Sequence, residues 1–238
     1  MLNLLKRLSP SGLAILERRH AVVEKKSRAS RVGLEQTLAK YGYPFSAGVL
    51  AFEAAYGGLL VPEYGAKANW RKMEEPAWLF GAHTCLTSEI HLNPRGGSQD
   101  QGLVPVAYSP NDVIYFLDAD GHGFVQDTLE DTQAVPFASR GRALVSRILL
   151  WDEIFFLKSV VLTGALGNKL KSLLSLTLDK DASAKDVRFF VGHQLYVTET
   201  AATGETLAET LLACKTQKQL TSIQKSLTDH DLAKKSHR

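Results

Sequence analysis

The sequence predicts an α+β protein: a mostly antiparallel sheet flanked by helices, with helical N- and C-terminal extensions. Three observations predict it. Leu103–Tyr108, Val113–Leu117 and Phe124–Thr128 are apolar runs separated by Ser109-Pro110-Asn111-Asp112 and by Asp118-Ala119-Asp120-Gly121-His122-Gly123. Short apolar runs joined by turn residues make an antiparallel meander. On either side, Val49, Phe52 and Tyr56, and Leu144, Ile148, Trp151 and Phe155, recur at helical spacing. The chain of 238 residues is 45% hydrophobic and 22% charged, enough apolar material for a real core.

In chain order, Leu13, Leu16 and Val23 mark a helix around Leu13–Lys26, and Leu34, Leu38 and Tyr41 a second over Arg31–Tyr41. Gly42-Tyr43-Pro44 ends that helix, because proline biases its predecessor away from helical backbone. Ser46 stands where an N-cap would start the helix carrying Phe52 and Tyr56. Gly57 and Gly58 close it, since residues without a Cβ accept the left-handed conformation. Pro62–Gly65 is turn-like, Asn69–Phe80 fits a strand or partly buried loop, and the alternation of Ala82, Thr84 and Leu86 reads as a strand. Asn93–Asp100 is loop composition. After the meander, Ser139 starts a helix through Trp151, and Lys169–Leu178 is a further helical segment. Asp186–Glu199 reads as two strands around Gly192-His193, and Glu205–Leu227 as a closing helix before a polar tail. The expected organisation is a basic helical extension over 1–30, a core over 31–157, and a C-terminal part over 158–238 packed on that core, strands then helix.

Charge is unevenly distributed. Residues 1–42 carry nine Lys/Arg against three Asp/Glu, residues 43–157 seven against fourteen, and residues 158–238 twelve against eight. The net charges of +6, −7 and +4 read as an acidic central module between basic ends. The basic N-terminal residues fit a solvated extension or an anionic surface contact, but no aromatics interleave them as single-strand stacking requires. Only Cys85 and Cys214 are cysteines, far apart, so a disulfide framework is not expected and a cytoplasmic location is. No secretory signal is visible, and Ala143–Leu166 contains Arg147, Asp152, Glu153 and Lys158, too many charges for a membrane span. It reads as a buried helix followed by a core segment.

Catalytic and metal motifs are weak. Counted as a calcium loop from Asp118, position five is His122 and position twelve Leu129, where oxygen donors are needed. His83, Cys85 and His91, with His122, lack the paired spacing of a zinc site, although His83 and Cys85 would share a strand face. No Gly-x-Ser-x-Gly elbow occurs. Gly164–Lys169 echoes a phosphate loop but lacks its gap and Lys-Ser/Thr pair, and reads as a turn. No metal, cofactor or catalytic residue is expected. What stands out is a carboxylate set, Asp112, Asp118, Asp120, Asp127, Glu130 and Asp131, within one hairpin and its exit, with Glu53, Glu74 and Glu75 in the same module. A solvated rim accounts for it, and so does an acidic docking surface for a cationic protein, with Trp70 and Trp78 as aromatic anchors.

Gly42-Tyr43-Pro44, Phe52-Glu53 and Tyr56-Gly57-Gly58-Leu59 resemble the N-terminal signature of the SUKH superfamily, a helix ending in a phrase such as "FE…YGG". Tyr115–Gly121 is similar to that family's aspartate–glycine hairpin, and the helix from Ser139 to Trp151-Asp152-Glu153 to its late helix. The resemblance covers Arg31 to Leu157; the segments before and after exceed a minimal member. It implies a SUKH-like α+β fold and a non-enzymatic bacterial immunity protein that occludes the active or substrate-binding site of a cognate secreted toxin, a nuclease or deaminase in many such systems. An interaction or scaffolding module without a toxin is the alternative, and a small enzyme with a metal or carboxylate site a third reading. No nucleic-acid or membrane partner is expected, and oligomeric state is left open.

Overall fold

The computed structural model describes residues 8–72, 77–88, 101–109, 113–127, 133–202 and 208–229. They form seven helices and two antiparallel sheets, so the fold is α+β as the sequence predicts. Contacts group the chain into two compact units, Met1–Val145 and Ser146–Arg238. The division between them falls inside a helix.

The first unit holds α1 (Pro10–Arg18), β1 (Val22–Val23), α2 (Arg31–Lys40), α3 (Ala47–Tyr56), β2 (Leu59–Pro62), β3 (Ala77–Phe80), α4 (Ala82–Thr87), β4 (Val104–Tyr108), β5 (Val113–Leu117), β6 (Gly123–Asp127), β7 (Val135–Ala138) and the start of α5 (Gly141–Phe155). Its seven strands lie in sequence order, each antiparallel to the next, which is the meander continued at both ends. Residues 22–24 join the sheet of this unit. Val22 and Val23 pair with Leu60 and Leu59, and the Glu24 N–H donates to the Gly58 carbonyl at 2.8 Å. Ser30 and Ser46 cap α2 and α3, accepting from the N–H groups of Gly33 and Val49. Val49, Phe52 and Tyr56 are buried on one face of α3.

Two local expectations change. Of the double glycine, Gly58 takes the left-handed conformation, with φ +73°, while Gly57 stays at φ −53°. Residues 82–87 form a helix rather than a strand. Gly81, at φ +114°, turns the chain out of β3, and the first N–H groups of α4 meet a buried carboxylate. That tertiary partner outweighs a three-residue alternation.

The second unit holds the rest of α5, then β8 (Lys158–Thr163), α6 (Gly167–Leu173), β9 (Thr177–Asp179), β10 (Val187–Gly192), β11 (Leu195–Thr200), β12 (Glu209–Cys214) and α7 (Gln217–Asp229). The sheet order is β8-β12-β11-β10-β9. Leu162, Phe190, Val197 and Leu212 meet Leu170 of α6 and Leu220 and Leu227 of α7 in one core. Phe189, on the other face of β10, meets Trp151 of α5 edge-on at 5.4 Å. The expected helix over Glu205–Leu227 is divided: Glu209–Cys214 is a strand with full ladders on both sides. An inner strand buried on both faces reads as a continuous apolar run, which periodicity cannot tell from a helix. Phe155 does not join the buried face of α5 and stands 77% exposed.

Candidate functional site: the hairpin tip and its cleft

The β5–β6 hairpin, which carries the predicted carboxylates, is pinned from both directions. Asp118 closes its loop: Oδ1 accepts the N–H of Asp120 at 3.0 Å and of His122 at 2.8 Å, and Oδ2 faces the His122 ring Nδ1 at 2.9 Å. Burial alone would raise the Asp118 carboxyl, but the His122 ring and these N–H groups outweigh it and hold it below its ordinary 3.8. The same pair raises the His122 imidazole above 6.5. Gly121, at φ +85°, lets the loop turn, and the tip rests against α3. A Cβ on Gly48 would come within 2.9 Å of the Gly121 Cα, so only glycine there permits this backbone approach.

Between the tip, α3 and the start of α5 lies a cleft of about 240 Å³. Phe52 and Tyr56 lie under it, and Asp120, Arg140 and Arg142 line it. Arg140 and Arg142 are exposed, as is Asp120. Sequence reasoning missed both arginines, although Ser139-Arg140-Gly141-Arg142 marks the start of a predicted helix; nothing local says that they face a hairpin more than 15 residues away.

The structure buries the two predicted tryptophan anchors and sets cations beside the hairpin tip. The basic N-terminal residues belong to the same unit as the acidic ones: Met1–Val145 carries fifteen Lys/Arg and fifteen Asp/Glu, and Ser146–Arg238 thirteen against ten. Most of the predicted −7 module, residues 43–145, falls in a unit of zero net charge, and the hairpin tip has two cations beside it. Trp70 and Trp78 are each 5% exposed. Trp70 donates from Nε1 to the His20 carbonyl at 3.2 Å, and Trp78 packs on Tyr115 at 5.9 Å. Both indoles are core, where they bury large apolar area, and neither offers a face to a partner. Of the other predicted residues, Asp112, Glu130 and Asp131 lie outside the described residues, as do Glu74, Glu75, His91 and the side chain of Asp127.

Glu53, the carboxylate of the "FE" phrase, has a separate place. It is 1% exposed, with Oε1 accepting the Ala29 N–H at 3.1 Å and Oε2 the His83 N–H at 3.3 Å. Burial raises its pKa above 4.5, against the opposing pull of the Ala29, His83 and Ala82 N–H groups. His83 turns its Nδ1 to Thr37 Oγ1 at 2.9 Å, while Cys85 is buried nearby, its thiol pushed up by burial and then by the Glu53 charge. A thiol held protonated is a poor nucleophile and a poor metal ligand. His83 and Cys85 both lie on α4, not on one strand face. At the echo of a phosphate loop, the Gly167 N–H donates to Glu199 Oε2 at 2.6 Å, and Arg188 pairs with the same carboxylate. The start of α6 already holds its anion.

The ligand atoms of Asp118, Asp120 and His122 lie within 4.8 Å of one another, close enough to share one cation. Asp118 already uses both oxygens within the loop, and the group is open to solvent. Among the described residues, no helix is long and apolar enough to cross a membrane.

These features define an α+β protein with a charged hairpin tip docked on a helix beside a mixed-charge cleft. No family model, no curated protein and no solved structure matches the chain.

Proposed function

We propose that this chain is a cytoplasmic, non-enzymatic immunity protein of the SUKH kind, which neutralises a cognate secreted toxin by covering its active or substrate-binding site. One observation supports the choice of surface: Asp120 and His122 are exposed on a loop locked by Asp118 and docked at Gly48, beside a cleft edged by Arg140 and Arg142. A tip fixed before binding has little conformational freedom left to lose, which favours association. Its partner's face is of mixed sign, with a basic group for Asp120 and an acidic group for the arginines. The resemblance of the "FE…YGG" phrase and of the aspartate–glycine hairpin supplies the partner class, a protein toxin such as a nuclease or deaminase.

Co-expression with the neighbouring reading frame tests the proposal, scoring cell survival and co-purification together. The expected result is protection by the wild type and its loss in Asp120→Lys, which leaves the Asp118 loop lock in place, with association slowed about tenfold at low salt and less at high salt. Intact protection and affinity in that variant and in Arg140→Glu/Arg142→Glu would remove this surface from the interface. Co-purification without any effect on survival would favour a scaffolding module instead.

A further inference from the structure

The described strands leave four sheet edges: β1 and β7 in the first unit, β8 and β9 in the second. Three carry the features that keep edges from pairing with other chains. β1 has two residues and β9 three, and β7 contains Pro136 and meets β6 through a register shift. β8 has none of these. It runs six residues and pairs with β12 without interruption, from Lys158 opposite Cys214 to Thr163 opposite Glu209. Its one charge, Lys158, is at its first position. An edge of this kind presents backbone N–H and C=O groups to another strand. The surroundings are apolar: of seven large hydrophobic side chains exposed among the described residues, Phe155, Phe156 and Val161 fall here, at 77%, 41% and 37%.

We infer that β8 pairs antiparallel with β8 of a second copy of this chain, about a two-fold axis at Val161. A two-fold normal to the sheet keeps each side chain on its own face, so only residues of the same parity stand opposite one another. Centred on Val161, that axis sets Val161 against Val161, Val160 against Leu162 and Ser159 against Thr163. Apolar meets apolar and hydroxyl meets hydroxyl, and Lys158 falls opposite Gly164, so no like charges meet. Centring on Val160 would set Lys158 against Leu162 and Ser159 against Val161. Polarity and charge therefore select both the occupant and the register. The same axis carries the Phe155–Phe156 end of each strand toward the 164–166 end of the other. At 77% and 41% exposure, and about 200 Å² per aromatic side chain, the two rings offer roughly 230 Å². A six-residue strand adds too little to reach the ~800 Å² per partner of a stable interface. The dimer is accordingly reversible and dissociates on dilution. The hairpin tip belongs to the other unit.

Sedimentation velocity of the full chain from micromolar to millimolar concentration tests this. The expected result is a monomer–dimer equilibrium that Val161→Lys weakens about tenfold or more, because two lysines then oppose each other across the axis. Val161→Cys and Ser159→Cys provide a second readout that does not depend on Val161→Lys folding. Opposed cysteines at 161 have Cα atoms about 4.5–5.5 Å apart, within disulfide reach. Two at 159 lie four residues apart along the strands, about 13 Å. Both native cysteines are buried. Mild oxidation should link Val161→Cys to itself and leave Ser159→Cys unlinked. A monomer at every concentration, a folded Val161→Lys that dimerises unchanged, or equal linking at 159 and 161 would overturn the inference.

Discussion

The Glu53 carboxylate lies at the first turn of α4, its Oε2 3.3 Å from the His83 nitrogen, and its other oxygen holds the Ala29 N–H. One side chain of α3 therefore fastens the N-terminal segment and α4 to the same point. Glutamine at 53 keeps one acceptor and turns an NH₂ group toward a donor. An unsatisfied buried donor costs about 1–3 kcal/mol. The folded pKa of Glu53 is raised, so its contribution to stability is fully present below 4.5 and is lost as pH rises through the folded value. Glu53→Gln cannot titrate. Urea unfolding should show a deficit relative to wild type that is larger at pH 4 than at pH 7.

The Asp118–His122 pair predicts a titration. His122 should protonate with a midpoint above 6.5, and Asp118→Asn should bring that midpoint down. Because the folded His122 pKa is raised and the folded Asp118 pKa lowered, the pair's stabilising effect is fully present between 3.8 and 6.5, disappears as pH rises through the folded His122 midpoint, and is lost again as pH falls through the folded Asp118 value. Imidazole NMR chemical shifts followed against pH read this directly, and equal midpoints in both proteins would show that the pair does not persist in solution.

Gly58 and Gly65 both have positive φ, at +73° and +85°, but their surroundings differ. A Cβ on Gly58 would stand 2.4 Å from the Glu24 carbonyl oxygen, whereas nothing lies within 4 Å of one on Gly65. Gly65→Ala should cost only the left-handed backbone, about 1–2 kcal/mol. Gly58→Ala should exceed that, because the obstacle is backbone that pairs β1 with β2. Chemical denaturation of the two variants gives the comparison.

Trp78→Ala should lower stability by about 3–5 kcal/mol, as expected for a large buried aromatic. An anchor on the surface would instead leave the unfolding midpoint unchanged and weaken binding. Thermal unfolding of the purified variant separates the two roles.

Much of the local structure is legible in the sequence because it depends on neighbours in the chain. The cap at Ser46 is a hydrogen bond between residues three apart. The β4–β5–β6 meander follows from apolar runs and the turn residues between them. Where a local signal was ambiguous, as over residues 82–87 and 209–214, long-range contacts decided it.

By itself the sequence determined the fold class, the helices α2 and α3, the meander and the exposed Asp118–Asp120 tip, since turn chemistry and periodicity act over a few residues. Only the tertiary structure decided what surrounds each of these. It buried Trp70 and Trp78, set Arg140 and Arg142 beside the hairpin, and paired Val22 and Val23 with the strand that follows the double glycine. It also gave Glu53 its partners, 24 and 30 residues away. Burial and electrostatic surroundings depend on which distant segments meet, and residue spacing along one chain does not encode that directly.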